Sequence, residues 1–298
     1  MKSYLGVLLF IFAITACEPA PVETETADYP NAELLVDAEE LSAIKAETGV
    51  IVIDAREEPG DTIVPGSIYF AARSELVDSD HPVEQYLIGS DEFERKMQEL
   101  GLSDNSRVYI FDGGDHLSSA RLFYALDYYG FENAAVVNGG IQGWLDASLP
   151  ITNQHNKLDE GDFEVSVNEA VMCDFDYVTA ASQNGDIVIF DARTPEEYSG
   201  ETVRAERGGH IPNAVNFEWN KVLESEGTPY FLPADSIQSM LNDYGITPDK
   251  EIITHCQSNV RGAHAYFTLR LMGYDSVRAY EGSWFEYGNR ENAVVENE

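Results

Sequence analysis

Short apolar runs alternate with helix-type patterns along most of the chain. The runs VIVID (residues 50–54) and EIITH (251–255) are continuous and rich in β-branched residues, as in strands that are buried on both faces of a sheet. After residue 255, apolar residues instead recur at spacings of three and four, which predicts an amphipathic helix. They are Val260, Ala263, Phe267 and Leu271. The alternation predicts an α/β fold in which a mainly parallel sheet is flanked by helices on both faces.

The same pattern occurs twice. The triplet Asp-Ala-Arg follows an apolar run at Asp54 and again at Asp191, 137 residues later, and residues 107–131 parallel residues 251–274. A period this long indicates duplicated domains rather than a solenoid of short repeats, and 298 residues suffice for two separate cores. The predicted organisation is a first domain at 34–150, a linker at 151–162 and a second domain at 163–292.

The first residues of the chain have the pattern of an export signal. Residues 1–17, MKSYLGVLLFIFAITAC, combine a lysine, an apolar run and a small-residue site, and are too short for a membrane span. Their end, Ile-Thr-Ala-Cys, resembles the lipobox of bacterial lipoproteins, which implies cleavage before Cys17 and acylation of its thiol. An ordinary signal peptide with a chance cysteine is the alternative. The acidic residues 18–33 are predicted to tether a periplasm-facing protein to the bacterial cell envelope.

The charge of the chain excludes some partners. With 53 acidic against 18 basic residues, the formal net charge is −35, which argues against nucleic acid and against adhesion to anionic lipid except through an acyl anchor. The sequence has no Cys-x-x-Cys pair and no Cys/His cluster with metal-ligand spacing, so no metal site is expected. Cys173 lies in an apolar-periodic stretch that suits a buried structural thiol. A disulfide between Cys173 and Cys256 is an open alternative.

Cys256 lies between a predicted strand and a predicted helix, a position that suits a reactive thiol. It ends the run EIITH and comes just before the predicted helix, and ligands of an open α/β sheet gather at the carboxyl ends of its strands. The unpaired amides and the dipole at a helix start stabilise a thiolate, and Arg261 adds a positive charge. We therefore predict that Cys256 is a catalytic nucleophile. A buried structural cysteine is the alternative.

Several further motifs together give the chain a family resemblance. They are DAR (191–193), GHIPNA (209–214), the loop at 256–261, LMGY (271–274) and YEGSW (280–284). With them the chain resembles a tandem-domain rhodanese sulfurtransferase of the thiosulfate or 3-mercaptopyruvate type. In that family the first domain is a degenerate copy without the cysteine. Here Asp112 stands at the corresponding place, so the resemblance implies a catalytically inactive first domain.

The resemblance also implies a reaction. The Cys256 thiolate takes the outer sulfur of a small anionic donor, and the resulting persulfide passes it to a thiophilic acceptor such as cyanide or a thiol. No metal or organic cofactor is implied. The residues expected to bind the substrate are Gln257, Ser258, Asn259, Val260, Arg261, Asp191 and Arg207. Two of these have alternatives: Asp191 could anchor a turn against Arg193, and Arg207 could be a solvated surface charge.

The chain departs from the family in ways that leave its donor open. Gln257 and Ser258 are neutral where many thiosulfate-type members carry basic residues, whereas mercaptopyruvate-type members lack an arginine equivalent to Arg261. Glu197 stands where some members place a substrate-binding arginine. The residues favour thiosulfate slightly. A persulfide carrier or docking lipoprotein is an alternative, and a cysteine phosphatase is disfavoured because its loop needs the arginine at position 262, which is Gly262.

Overall fold

The computed structural model describes residues 29–297. The predicted signal peptide at 1–17, with Cys17, lies outside the described residues, as does most of the predicted tether. Within the part that is described, no helix combines the length and the hydropathy that crossing a membrane requires.

The first half of the chain forms a five-stranded parallel sheet. Its strands are β1 (Leu35–Val36), β2 (Val50–Asp54), β3 (Ile68–Tyr69), β4 (Arg107–Phe111) and β5 (Ala134–Val137), in the order β1-β5-β4-β2-β3. Its helices are α1 (Ala38–Ile44), α2 (Ala72–Glu75), α3 (Ser90–Glu99), α4 (Leu117–Tyr128) and α5 (Gly140–Asp146).

The second half repeats this architecture. Its strands are β6 (Met172–Cys173), β7 (Ile187–Asp191), β8 (Ala214–Asn216), β9 (Glu251–His255) and β10 (Val277–Tyr280), in the order β6-β10-β9-β7-β8. Its helices are α6 (Phe175–Ala181), α7 (Pro195–Ser199), α8 (Ala234–Asp243), α9 (Val260–Leu271) and α10 (Ser283–Tyr287). The two sheets have the same strand order, so the predicted duplication and the α/β fold class are confirmed.

Helices cover both faces of each sheet, as predicted. In the first domain, Val52 of β2 packs in one cluster with α1 and α5, whereas Ile51 and Ile53 face a second cluster that contains α3 and α4. Alternate residues of one strand are therefore buried on opposite faces, which explains why the run is apolar up to Asp54 at its end.

The two domains share one hydrophobic core. Helices α4 and α9, one from each domain, pack against each other, and the rings of Phe123 and Phe267 meet edge to face at 5.0 Å. The hydroxyl of Tyr266 donates a hydrogen bond to the Asp127 carboxylate at 2.6 Å across the same contact. These helices follow β4 and β9, so the domain contact lies directly beside the loops that end the two central strands.

Two segments near the predicted domain bounds are packed onto a domain. Phe163 is buried against Phe93 and Phe131 of the first domain, and the Ser166 amide donates to a first-domain carbonyl. The end of the predicted tether is also docked. There, the amide and side chain of Asn31 donate to the carbonyls of Leu271 and Arg270 at 3.1 and 2.7 Å.

Candidate active site

The central strand of the second sheet ends at Cys256. Strand β9 lies between β10 and β7, and four residues later the chain enters α9, with Asn259 turning it in a left-handed conformation (φ 54°). The amides of Cys256 and Asn259 both donate to the hydroxyl oxygen of Ser283, at 3.3 and 3.1 Å. This pair of bonds fixes the two ends of the loop.

The two cysteines of the described chain, Cys173 and Cys256, do not form a disulfide. Both thiols are free, so the alternative of a disulfide between them is wrong. Burial raises the pKa of the Cys173 thiol, as expected of a structural cysteine. Cys256 is only 1% exposed and belongs to the hydrophobic cluster that the two domains share, whereas Ser258, Val260 and Arg261 of its loop are half-buried.

Several backbone amides of this loop have no hydrogen-bond acceptor within the described chain. Five of its amide N–H groups donate no hydrogen bond within residues 29–297. They belong to Gln257, Ser258, Val260, Arg261 and Gly262. Unpaired N–H groups at a helix start, together with the helix dipole, form a ready anion-binding site.

The first domain shows what such a loop binds. Asp112 follows β4 as Cys256 follows β9, and its buried carboxylate accepts hydrogen bonds from the amides of Gly114, His116, Ser118 and Ser119 at 2.9–3.2 Å. The Ser119 hydroxyl adds a fifth bond at 3.1 Å. His116 begins α4 in the same left-handed conformation (φ 58°) that Asn259 has before α9.

The two loops can be matched residue by residue at the helix start. Ser118 and Ser119 are the second and third residues of α4, as Arg261 and Gly262 are of α9. In the first domain these amides hold a carboxylate that belongs to the chain. In the second domain the thiol replaces that carboxylate, and the equivalent amides remain free for an external anion or for a charge carried on the sulfur.

Arg261 is held by a residue that the sequence analysis noted only as a departure. Both oxygens of Glu197 accept from the Arg261 guanidinium, at 2.5 and 3.0 Å, and Glu197 also binds Arg204 at 3.1 Å. Burial would raise the pKa of Glu197, but its bonds to the arginines lower it to about 2. Glu197 is thus an anion that balances the Arg261 charge. The sequence carried a signal that Glu197 lies at a helix start, because Thr194 and Glu197 have the spacing of the capping box that starts α7.

The other loop residues have distinct contacts. The Gln257 side chain donates to the Arg204 carbonyl at 2.9 Å, and the Asn259 side chain donates to Glu281 at 2.6 Å. His255, on the other side of Cys256, brings no positive charge at neutral pH because burial lowers its pKa to about 4. The positive charge near the thiol therefore comes from arginines.

Two residues predicted to bind the substrate have partners within the chain. Asp191 is fully buried and accepts from Nε and Nη2 of Arg193, at 2.9 and 2.6 Å, which is the contact of the alternative, a turn anchored against Arg193. The Arg207 guanidinium donates to four backbone carbonyls, those of Tyr287, Gly288, Arg290 and Ala293. Their binding to a substrate stays a prediction.

One contributor to the site comes from the first domain and was missed. Arg121 of α4 is buried and binds both oxygens of Glu281, at 2.9 and 2.6 Å. Glu281 in turn accepts from Asn259 at the start of α9. The loop around Cys256 is therefore assembled from both domains.

Fold and loop together define the class of this protein. The model of the rhodanese-like domain matches residues 37–147 and 174–290, and the chain belongs to the rhodanese family. It is a tandem rhodanese-domain sulfurtransferase related to the thiosulfate sulfurtransferases.

The proteins similar to this chain include a thiosulfate sulfurtransferase and a sulfur carrier protein. The chain is 31% identical to a thiosulfate sulfurtransferase of Azotobacter vinelandii over 274 residues, which cover 90% of this chain and 99% of that protein. It is 32% identical to the sulfur carrier protein TtuD of Thermus thermophilus over 70% of this chain and 77% of that one.

Solved structures agree with this assignment. SseA of Escherichia coli, described as a 3-mercaptopyruvate sulfotransferase, superposes with a TM-score of 0.75 at 27% identity, covering 84% of this chain and 98% of its own. An anaerobic ergothioneine biosynthesis enzyme of Chlorobium limicola has a TM-score of 0.79 at 22% identity, covering 90% of this chain and 71% of that one, which shows the shared fold alone. As a sulfurtransferase, this protein acts on a sulfur donor and an acceptor.

Proposed function

We propose that the protein transfers a sulfane sulfur from thiosulfate, or from 3-mercaptopyruvate, through a persulfide on Cys256 to a thiophilic acceptor such as cyanide or a thiol. One observation carries the proposal: the loop after Cys256 leaves unpaired the amides whose counterparts in the first domain bind the Asp112 carboxylate. The site is thus built for a small anion beside a nucleophilic sulfur.

The proposed first half-reaction balances in atoms and charge. The Cys256 thiolate attacks the outer sulfur of thiosulfate, a sulfur–sulfur bond forms, and the electron pair of the bond that breaks leaves with sulfite. With 3-mercaptopyruvate, the carbon–sulfur bond breaks instead and its carbon takes the thiol proton, giving pyruvate. The persulfide then yields its outer sulfur to the acceptor and regenerates the thiolate, which is covalent catalysis with ping-pong kinetics.

Backbone dipoles carry most of the stabilisation in this proposal. The Arg261 charge is largely balanced by Glu197, so the persulfide anion is held mainly by the amides at the start of α9. Because these donors are fixed by the helix, they need no reorganisation when the charge moves from one sulfur to the next.

Thiosulfate is the proposed preferred donor. Arg261, which the mercaptopyruvate type lacks, supports this choice, and so does the match to the Azotobacter vinelandii protein over nearly its whole length. The deciding experiment is steady-state kinetics with thiosulfate and with 3-mercaptopyruvate, using cyanide and dithiothreitol as acceptors. A higher kcat/KM with thiosulfate supports the proposal, and a higher one with 3-mercaptopyruvate reverses the donor assignment.

The persulfide itself can be tested by intact mass. After incubation with thiosulfate, we expect a gain of one sulfur atom that cyanide removes. The gain should be absent in Cys256→Ala and preserved in the matched variant Cys173→Ser. Transfer that survives in Cys256→Ala would disprove the assigned nucleophile.

A non-enzymatic persulfide carrier is the second candidate. The match to TtuD and the 1% exposure of Cys256 favour it, because a sulfur this deeply buried suits delivery to a docked partner. In that case the persulfide would form, but small thiols and cyanide would discharge it without turnover. A phosphatase is less favoured, and rapid hydrolysis of p-nitrophenyl phosphate would be required to revive it.

We further propose that the protein is a lipoprotein of the bacterial cell envelope, anchored through Cys17. The lipobox-like sequence before Cys17 supports this. Metabolic labelling with a fatty acid should mark the wild-type protein and leave Cys17→Ser unlabelled. Labelling of both, or of neither, would reject the anchor.

A further inference from the structure

The contact between the two domains includes a buried ion pair that reaches the Cys256 loop. The side chains of Arg121 and Glu281 are 3% and 0% exposed, and they join α4 of the first domain to the turn after β10 of the second. Both charges of a buried ion pair lose their hydration when the protein folds, so such a pair is weak evidence for stability. The position of this pair suggests a different role.

That position is beside the residue that shapes the loop. The second oxygen of Glu281 accepts from the Asn259 side chain at 2.6 Å, and Nη1 of Arg121 lies 3.5 Å from the Asn259 carbonyl oxygen. Asn259 holds the left-handed conformation that lets the chain pass from Cys256 into α9 in four residues. Asparagine is one of the few residues other than glycine that adopt this conformation readily, so the identity of residue 259 suits the turn.

The geometry is tight around Asn259. A Cβ added to Gly262 would lie 2.4 Å from the side-chain oxygen of Asn259, so that side chain fills the space over the first turn of α9. A shift of Asn259 would therefore move the amides of Arg261 and Gly262, which line the proposed anion site.

The charges support the same role for Arg121. Burial would lower the pKa of Arg121, but the nearby Glu281 carboxylate and, least of all, the Cys256 sulfur raise it. Without Arg121, Glu281 would be an unpaired buried anion close to the sulfur that must ionise. Such a charge opposes a second negative charge nearby.

We propose that Arg121 is a positioning residue for sulfur transfer, through which the first domain, although it lacks a cysteine of its own, holds Glu281 and Asn259 and so shapes the loop around Cys256. The proposal rests on the proposed function. It gives the first domain a task at the reaction centre of the second.

The test compares Arg121→Ala and Arg121→Lys with Tyr266→Phe. The Tyr266 variant removes a hydrogen bond between the same two helices, to Asp127, but lies away from the loop. It therefore reports the effect of weakening the domain contact alone. We expect Arg121→Ala to lower kcat/KM for thiosulfate by about 10- to 100-fold, as for a misplaced reacting group, and Tyr266→Phe to leave it within about twofold.

A second readout does not depend on turnover. The rate of Cys256 alkylation by iodoacetamide, measured as a function of pH, reports how readily the thiolate forms. The pH at the midpoint of this profile should be higher in Arg121→Ala than in the wild type and raised less in Arg121→Lys. It should be unchanged in Tyr266→Phe. Cys173→Ser serves as the common background, so that one thiol is followed.

The outcomes separate the two proposals. Unchanged kinetics and an unchanged alkylation midpoint in folded Arg121→Ala, or equal losses in Tyr266→Phe, would overturn the positioning role. If Arg121→Ala does not fold, the comparison of Arg121→Lys with Tyr266→Phe decides in the same way. If the wild-type protein transfers no sulfur from any donor, the proposed function fails, while the alkylation profiles still test the role of Arg121.

Discussion

The ion pair between Glu197 and Arg261 makes the stability of the protein depend on pH in a specific window. Both oxygens of Glu197 bind Arg261, and the pKa of Glu197 is lowered from 4.5 to about 2. A group whose pKa is lowered by folding stabilises the folded state above its unfolded pKa and loses that contribution as the pH falls through the folded value. The contribution of Glu197 should therefore be complete at pH 7 and vanish between about pH 4.5 and 2.

The magnitude follows from the same numbers. At ~1.4 kcal/mol per pKa unit, a fall from 4.5 to about 2 corresponds to ~3 kcal/mol as an upper value. Arg261 is 15% exposed and glutamine keeps one acceptor oxygen, so solvent screening and the remaining bond reduce the loss. We expect Glu197→Gln to unfold with a free energy ~1–2 kcal/mol lower than wild type at pH 7.

Urea unfolding at pH 7, 5, 4 and 3 measures this difference. It should be constant down to about pH 5 and then shrink, because Glu197 then takes up a proton in the unfolded wild-type chain while it stays ionised in the folded one. Glu196→Gln is the matched control, since it makes the same change on the exposed face of α7. A difference that persists unchanged at pH 3, or an equal loss in Glu196→Gln, would refute the assignment of the effect to the buried pair.

Further predictions concern the two loops. Asp112→Ala should lower the free energy of unfolding by ~3 kcal/mol or more, because four buried amides lose their acceptor. It should leave kcat/KM for thiosulfate unchanged. A loss of activity at unchanged stability would contradict this prediction. Gly262→Ala should reduce sulfur transfer at least about tenfold, measured by cyanide turnover, because the added methyl meets the Asn259 oxygen. Cys256 should react much faster with iodoacetamide than with a bulky maleimide, since it is 1% exposed; equal rates would show an open site.

Features carried by neighbouring residues could be predicted from the sequence. The apolar residues at 50–53 and at 252–253 are consecutive and do not alternate with polar ones, which is typical of strands covered on both faces. The duplication was visible because the same strand and turn residues recur in the same order. The position of Cys256 between a strand and a helix could be predicted for a similar reason, since it depends only on the residues immediately around it.

Features that depend on distant pairs could not be predicted. Arg261 and Glu197 are 64 residues apart, and Arg121 and Glu281 are 160 residues apart. No local pattern selects these partners, because long side chains can reach in any direction from their elements. Arg207 is the reverse case: a basic residue beside a conspicuous glycine pair suggested a ligand, but backbone carbonyls satisfy its guanidinium.

The docked start of the described chain shows which side of the second domain an anchor on Cys17 would lead to. Tyr29 and Asn31 fasten to the second domain, and Asn31 does so at the last turn of α9. Cys256 is at the opposite end of that helix, about 18 Å away for twelve residues. Twelve residues from Cys17 to Tyr29 can span at most ~40 Å. A lipid on Cys17 would therefore hold the second domain within ~40 Å of the bilayer, by the end of α9 that is opposite to Cys256.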